Sequence, residues 1–198
     1  METSAVALAT PVVSQSQPVD LEATMVQRAQ GGDARAFRWL FDRHAPAIHR
    51  FLRDMLRSSD AADEATQETF VRAYHALREV RAVERFRPWL FGTARRVSLE
   101  QHRRNRRASG PLDDDRHPPD RSPDPESALI GRESDAVLAS ALDKLPEERR
   151  SALVLRLDHG LDYDAIGEAM GWPLSKVKNE LHRARLELRA HLSTYGDA

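Results

Sequence analysis

Apolar residues along this chain fall at spacings of three and four, the mark of helices that bury one stripe, and the pattern predicts an all-α protein. Asp20 caps a first short helix carrying Leu21, Met25, Val26 and Ala29, which ends at Gly31 and Gly32. Asp33 caps the next, whose stripe of Phe37, Leu40 and Phe41 continues after Pro46 with Ile48, Phe51, Leu52 and Met55. Proline suits the first turn of a new helix, so a break or kink is expected near His44 to Pro46. A third helix is expected from Asp60, with Ala65, Phe70, Ala73, Tyr74 and Leu77 toward a core and Asp63, Glu64, Gln67 and Glu68 outward. A fourth follows a loop over Arg81 to Arg85, holds Pro88 in its first turn and buries Phe86, Trp89, Leu90, Ala94 and Val97.

From about Asn105 to Pro125 the periodicity fails in a stretch rich in Pro, Asp, Ser and Arg, which cannot bury enough surface to fold and reads as a linker. Beyond it Leu129, Val137, Leu138, Ala141 and Leu142 begin a second helical unit. Pro146 then opens a helix containing Ala152, Leu153, Leu155 and Leu157, which Gly160 ends. Asp162 caps a short helix with Ile166, Ala169 and Met170 on one side; Gly171 closes it and Pro173 prevents its continuation. Ser175 is expected to cap the last helix, where Val177, Leu181, Ala184, Leu188 and Leu192 recur. A short helix, a tight turn and a longer helix make a helix-turn-helix candidate, whose second helix would enter the DNA major groove.

The pattern divides the chain into a disordered tail 1–19, a helical unit 20–107, a flexible acidic linker 108–127, a second helical unit 128–193 and a short tail 194–198. Charge sharpens this division. The formal net charge is −1, yet Arg85 to Arg107 holds eight arginines against Glu100, a local +7. Asp60 to Glu84 carries −3 and Ala108 to Ser127 carries −4. Such segregation suggests separate surfaces for separate partners, with the basic block as the footprint expected for phosphate. On the last helix Ser175, Lys176, Lys178, Asn179, Arg183 and Arg185 could reach base edges or phosphates. A merely solvated charged face is the plain alternative.

Other chemistry is thinly represented. The chain has no Cys, which removes disulfides, thiolate metal sites and cysteine nucleophiles. His44 and His49 are five apart rather than four, so no metal site and no metal cofactor are expected. Neither a glycine-rich phosphate loop nor a nucleophile elbow is present, so neither a small-molecule substrate nor catalysis is expected, and a hydrolase is the weakest reading. The first twenty residues lack a basic start and are broken by Pro11 and Pro18, unlike a signal peptide, and no run approaches membrane-spanning length. A cytoplasmic protein is expected. A dimeric helix-turn-helix repressor or activator would explain the last fifty residues, but leaves the basic block and the acidic patch without a role.

In combination, DEATQETFVRAYHAL, FRPWLFGTARRVSLEQHRRNRR and LPEERRSALVLRLDHGLDYDAIGEAMGWPLSKVKNELHRARLEL resemble the two regions of extracytoplasmic-function sigma factors, small members of the sigma-70 family. The resemblance covers roughly Ala34 to Arg107 and Leu129 to Leu192. It implies two small helical domains, a region 2 bundle and a region 4 helix-turn-helix, joined by a flexible linker, and binding to core RNA polymerase and to duplex and single-stranded promoter DNA. By position, Asp63, Glu64, Gln67, Glu68 and Thr69 match the segment that docks on the beta-prime clamp helices; the second region is implied to meet the beta flap. Arg81, Arg85, Arg87, Arg95 and Arg96 fall in the segment that opens the minus-ten element, and these are the arginines expected to be exposed. Ser175 to Arg189 matches the reader of the minus-thirty-five element. The linker resembles the connector that threads the polymerase cleft. An anti-sigma factor, often membrane-anchored, is implied as a restraining partner, and the active protein is expected at the nucleoid. Two departures stand out: Ala65 and Thr66 replace larger aliphatics, and Gly92 interrupts a helix at a cost of about 1 kcal/mol relative to Ala, which is expected to loosen it.

Overall fold

The structure, a computed structural model, describes residues 20–109 and 137–196. The expected tail 1–19, the linker from 110 to 127 and Leu129 lie outside the described residues. Four helices form the N-terminal unit: α1 (Leu21–Gln30), α2 (Ala34–Leu56), α3 (Ser59–Ala76) and α4 (Phe86–Ser109). Short 3-10 turns at Leu77–Glu79 and Val83–Arg85 join α3 to α4. The C-terminal unit contains a helical stretch at 137–143 followed by α5 (Glu147–Leu157), α6 (Tyr163–Met170) and α7 (Leu174–Gly196). Among the described residues there is no strand, and no helix is long and apolar enough to cross a membrane.

The helix starts follow local chemistry. Asp20 Oδ1 accepts from the Glu22 and Ala23 amides, Asp33 Oδ1 from those of Arg35 and Ala36, and Asp162 Oδ1 from that of Ala165. Each satisfies amides that the first turn leaves unpaired. The expected start of α3 at Asp60 is corrected: Ser58 is the cap, its hydroxyl accepting from the Ala61 amide at 3.2 Å. The last helix also starts earlier than expected. It begins at Leu174, the Pro173 carbonyl accepts from the Val177 amide at 3.1 Å, and Ser175 lies within the first turn rather than capping it. At its other end the helix runs on to Gly196, through the first part of the expected tail.

The expected break at Pro46 is absent; α2 is continuous from Ala34 to Leu56. A proline inside a helix costs about 3 kcal/mol through its missing donor and its ring clash. Against this, Leu40, Ile48, Phe51, Leu52 and Met55 lie on both sides of Pro46 and are each at most 1% exposed. At roughly 1.5–3 kcal/mol per fully buried side chain, keeping both halves on one axis outweighs the proline. Tyr74, expected inside, is 52% exposed, its ring edge resting on Phe37 with centroids 5.0 Å apart.

In the N-terminal unit α2 packs against α1, α3 and α4; in the C-terminal unit α5 packs on α6 and α7. The two units also meet, α4 lying along α6 and α2 touching α5. Gly92 is the crossing point. A Cβ there would stand 3.0 Å from the Ala169 carbonyl oxygen and 3.3 Å from its Cα, so the backbones approach as closely as glycine permits. The expectation that Gly92 loosens α4 is therefore corrected: the propensity cost is real, but the glycine creates the surface on which α6 sits.

Candidate nucleic-acid interface

Helix α7 is two-sided. Val177, Leu181 and Ala184 are fully buried against the rest of the C-terminal unit, while Ser175, Lys178, Asn179, Arg183 and Arg185 are exposed. The tilt of the helix is braced by Arg149 of α5, whose Nε donates to Glu180 at 2.7 Å and whose Nη1 donates to Glu187. This guanidinium holds the Glu180 carboxyl below the usual carboxylate range. Lys176 is less free than the others. Its ammonium sits 4.3 Å from the Trp172 ring centroid and 3.8 Å from Glu148 Oε2. Arg183 Nη1 lies 3.3 Å from Glu180 Oε1. The face thus presents amide, hydroxyl and cationic groups on a rigid helix, with the turn below it closed by Gly171 at φ +67°.

The acidic row on α3 faces outward as expected at Asp63, Glu64 and Gln67, with Glu68 half-buried. Thr69 does not belong with them: it is fully buried, and its hydroxyl donates to the Ala65 carbonyl at 2.7 Å. A residue that points inward holds the helix from behind rather than meeting a partner. Ala65 and Thr66 are likewise buried. Glu68 is tied to Arg72 at 2.7 Å, and Arg72 forks onto Glu100 of α4 at 2.7 and 2.9 Å. This pairing lowers the Glu100 pKa. Asp63 receives His49 Nε2 at 3.0 Å, whereas His44 Nε2 faces Glu22 at 3.3 Å, so the two histidines serve different neighbours.

The arginines assigned to the minus-ten segment are divided. Arg81 and Arg96 are exposed, the latter bonding Thr93 Oγ1 at 2.9 Å. Arg85, Arg87 and Arg95 reach across to the C-terminal unit instead. Arg85 Nη1 is 3.8 Å from Glu168 Oε2, Arg87 Nη2 donates to the His159 carbonyl, and Arg95 Nη2 is 3.4 Å from Glu147 and 3.9 Å from Glu148. The Arg95 side chain is only 12% exposed, which corrects the expectation that all five arginines are open to solvent.

The stripe expected on α4 is buried at Phe86, Leu90, Ala94 and Val97, with Trp89 half-buried. A second buried set, Phe91, Gly92, Thr93 and Ser98, was not legible in the periodicity. His159 sits between rings, its centroid 5.9 Å from Phe51 and 4.8 Å from Phe91. Burial pulls its pKa down to about 4, helped by Arg50 and Arg87, and its Nε2 meets no hydrogen-bond partner among the described residues. Also unforeseen is Arg57, at φ +60° at the end of α2, which bonds Asp143 Oδ1 at 2.7 Å and the Ala139 carbonyl at 3.2 Å. No sequence signal separates that arginine from its exposed neighbours. Between the units lies a cleft of about 710 Å³ edged by Trp39, Arg43, Arg85, Arg87, Asp162 and Asp164.

Comparison with known proteins covers both units. Residues 40–108 match the family model Sigma-70 region 2, and residues 136–188 match Sigma-70, region 4. The chain is 33% identical to the ECF RNA polymerase sigma factor SigE of Mycolicibacterium smegmatis, over 87% of this chain and 68% of that protein. It is 30% identical to the RNA polymerase sigma-H factor of Pseudomonas aeruginosa, over 81% of this chain and 88% of that one. Among solved structures, that of CnrH in complex with the cytosolic domain of CnrY superposes with a TM-score of 0.68 at 26% identity, covering 88% of this chain and 99% of that one. The sigma factor RpoE of Bartonella quintana, solved with the anti-sigma factor NepR, shares the fold at a TM-score of 0.68 and 21% identity, covering 81% of this chain and 98% of that one.

Proposed function

Since this chain belongs to the sigma-70 family, in the group of extracytoplasmic-function sigma factors, we propose that it directs core RNA polymerase to promoters by dividing recognition between its two units. The observation that carries this reading is the two-sidedness of α7, buried through Val177, Leu181 and Ala184 and open through Lys178, Asn179, Arg183 and Arg185. A helix held in this way can enter the major groove of a minus-thirty-five element without rearranging its own unit. Ser175 and Lys176 stand at its leading end, where backbone phosphates approach.

On the N-terminal unit, Asp63, Glu64, Gln67 and Glu68 offer a fixed acidic face for the clamp helices of the polymerase, with Thr69 supporting from inside. Arg81, Arg85, Arg87, Arg95 and Arg96 supply the cationic surface for the separated minus-ten strand, by backbone attraction and stacking. Each contact is weak alone. Tethering both units to one polymerase, with the beta flap holding the C-terminal one, raises the effective concentration of the second contact and makes binding depend on promoter spacing. The chain performs no catalysis of its own in this scheme and works in the cytoplasm, reaching the nucleoid when active. An anti-sigma factor covering the polymerase-facing surfaces fits the same plan.

Two substitutions test the division of labour. Lys178→Ala should lower promoter-dependent run-off transcription about tenfold or more while core association is unchanged, since one good base or phosphate contact is worth about 1–3 kcal/mol. Gln67→Ala with Glu68→Ala should do the reverse in a fluorescence titration with core polymerase. Unchanged transcription in the first case, or unchanged affinity in the second, removes the corresponding assignment.

A further inference from the structure

The contacts between the units fall on the residues that promoter DNA would need. Of five arginines assigned to the minus-ten strand, Arg85, Arg87 and Arg95 are engaged by Glu168, the His159 carbonyl, Glu147 and Glu148. Carboxylate and carbonyl oxygens of the C-terminal unit thus stand where phosphate oxygens would be expected. Around them the seam is closed by Arg57 on Asp143 and Ala139, by Arg150 Nη2 donating to the Met55 carbonyl at 3.2 Å, and by the Ser151 hydroxyl against Met55 Sδ at 3.2 Å. The apolar part of the seam is equally specific, with His159 between Phe51 and Phe91 and α6 seated on Gly92.

We propose that this docked arrangement is an internal brake: the C-terminal unit occupies the strand-binding face of α4, and must lift away before that face can take single-stranded promoter DNA. The proposal rests on the sigma-factor reading above. It assigns Glu147, Glu148 and Glu168 as stand-ins for phosphate and Arg57 as a latch that touches neither DNA nor polymerase. Competition follows from the geometry, because one guanidinium cannot fork onto a carboxylate and a phosphate at the same time.

The absence of cysteine makes the seam easy to lock. A Cβ at position 92 lies 3.3 Å from the Ala169 Cα, within the spacing a disulfide spans, so Gly92→Cys with Ala169→Cys gives a single cross-link across the units. The full chain is assayed with core polymerase on a promoter located beforehand with the unsubstituted chain. Oxidised protein should lose about tenfold or more of the run-off signal, and dithiothreitol should restore it. Equal activity of the oxidised and reduced forms, or failure of the monomer to form the bond, overturns the brake. If the unsubstituted chain starts no transcription with core polymerase, the sigma-factor reading falls, and the brake with it.

A second variant avoids any new bond. Arg57→Gln removes a positive charge, which by itself would weaken binding to fluorescein-labelled oligothymidylate; release of the latch should instead strengthen it about threefold at low salt. Unchanged or weakened binding contradicts the proposal.

Discussion

Acidification should loosen the seam between the units through His159. In the docked chain its imidazole stays neutral down to about pH 4, because burial, then Arg50 and Arg87, disfavour the cation. Once uncovered, the ring takes up its proton near the ordinary histidine value of about 6.5. The open form therefore binds more protons between these values, so docking is fully favoured above about pH 6.5 and loses ground as pH falls toward 4. At about 1.4 kcal/mol per pH unit the gap sets a ceiling of roughly 3 kcal/mol, of which about 2 is gone at pH 5. Residual solvent contact reduces that to about 1 kcal/mol, a shift of roughly fivefold in the ratio of docked to open forms. The assay is Förster transfer between dyes on Arg38→Cys of α2 and Leu186→Cys of α7, both exposed positions. Transfer should change between pH 7.5 and 5, and His159→Gln should remove most of that response. His102 remains in the His159→Gln chain as background. Its pKa is lowered by burial, and its Nε2 lies 3.0 Å from the Met55 carbonyl. An identical pH response in both chains would show that His159 does not sense the seam.

Two stability predictions probe the C-terminal unit. Leu181→Ala, at a fully buried position on α7, should cost about 2–4 kcal/mol in urea unfolding; a loss below about 0.5 kcal/mol would mean that α7 is not packed as described. Gly171→Ala meets no atom within 4 Å, so its cost comes from the backbone alone, about 1–2 kcal/mol for a side chain at φ +67°, and a neutral result would refute the left-handed cap.

Much of the architecture is legible in the order of residues because it depends on neighbours close along the chain. Asp20, Asp33 and Asp162 cap their helices as expected, since a carboxylate needs only the amides two or three residues ahead. Gly171 ends α6 for the same local reason. The exposed face of α7 is equally legible, because Val177, Leu181 and Ala184 leave the other side of the helix to Lys178, Asn179 and Arg183. Thr69 is misplaced by the same reasoning: a threonine beside Glu68 reads as surface, and only the packing of α3 against its neighbours turns it inward.

Sequence alone determined that the chain is helical, divided into two units and armed with a cationic last helix, because periodicity, capping and charge act over a few residues. Tertiary structure decided the continuity of α2 through Pro46, which depends on burial summed along the whole helix. It also decided that α4 is buried on two sides. Gly92, Thr93 and Ser98 resemble a polar surface in one dimension, and only the approach of α6 converts them into a contact. The engagement of Arg57, Arg85, Arg87 and Arg95 belongs to the same class, since a guanidinium takes whichever oxygen the fold brings within reach and nothing in the order of residues names that oxygen.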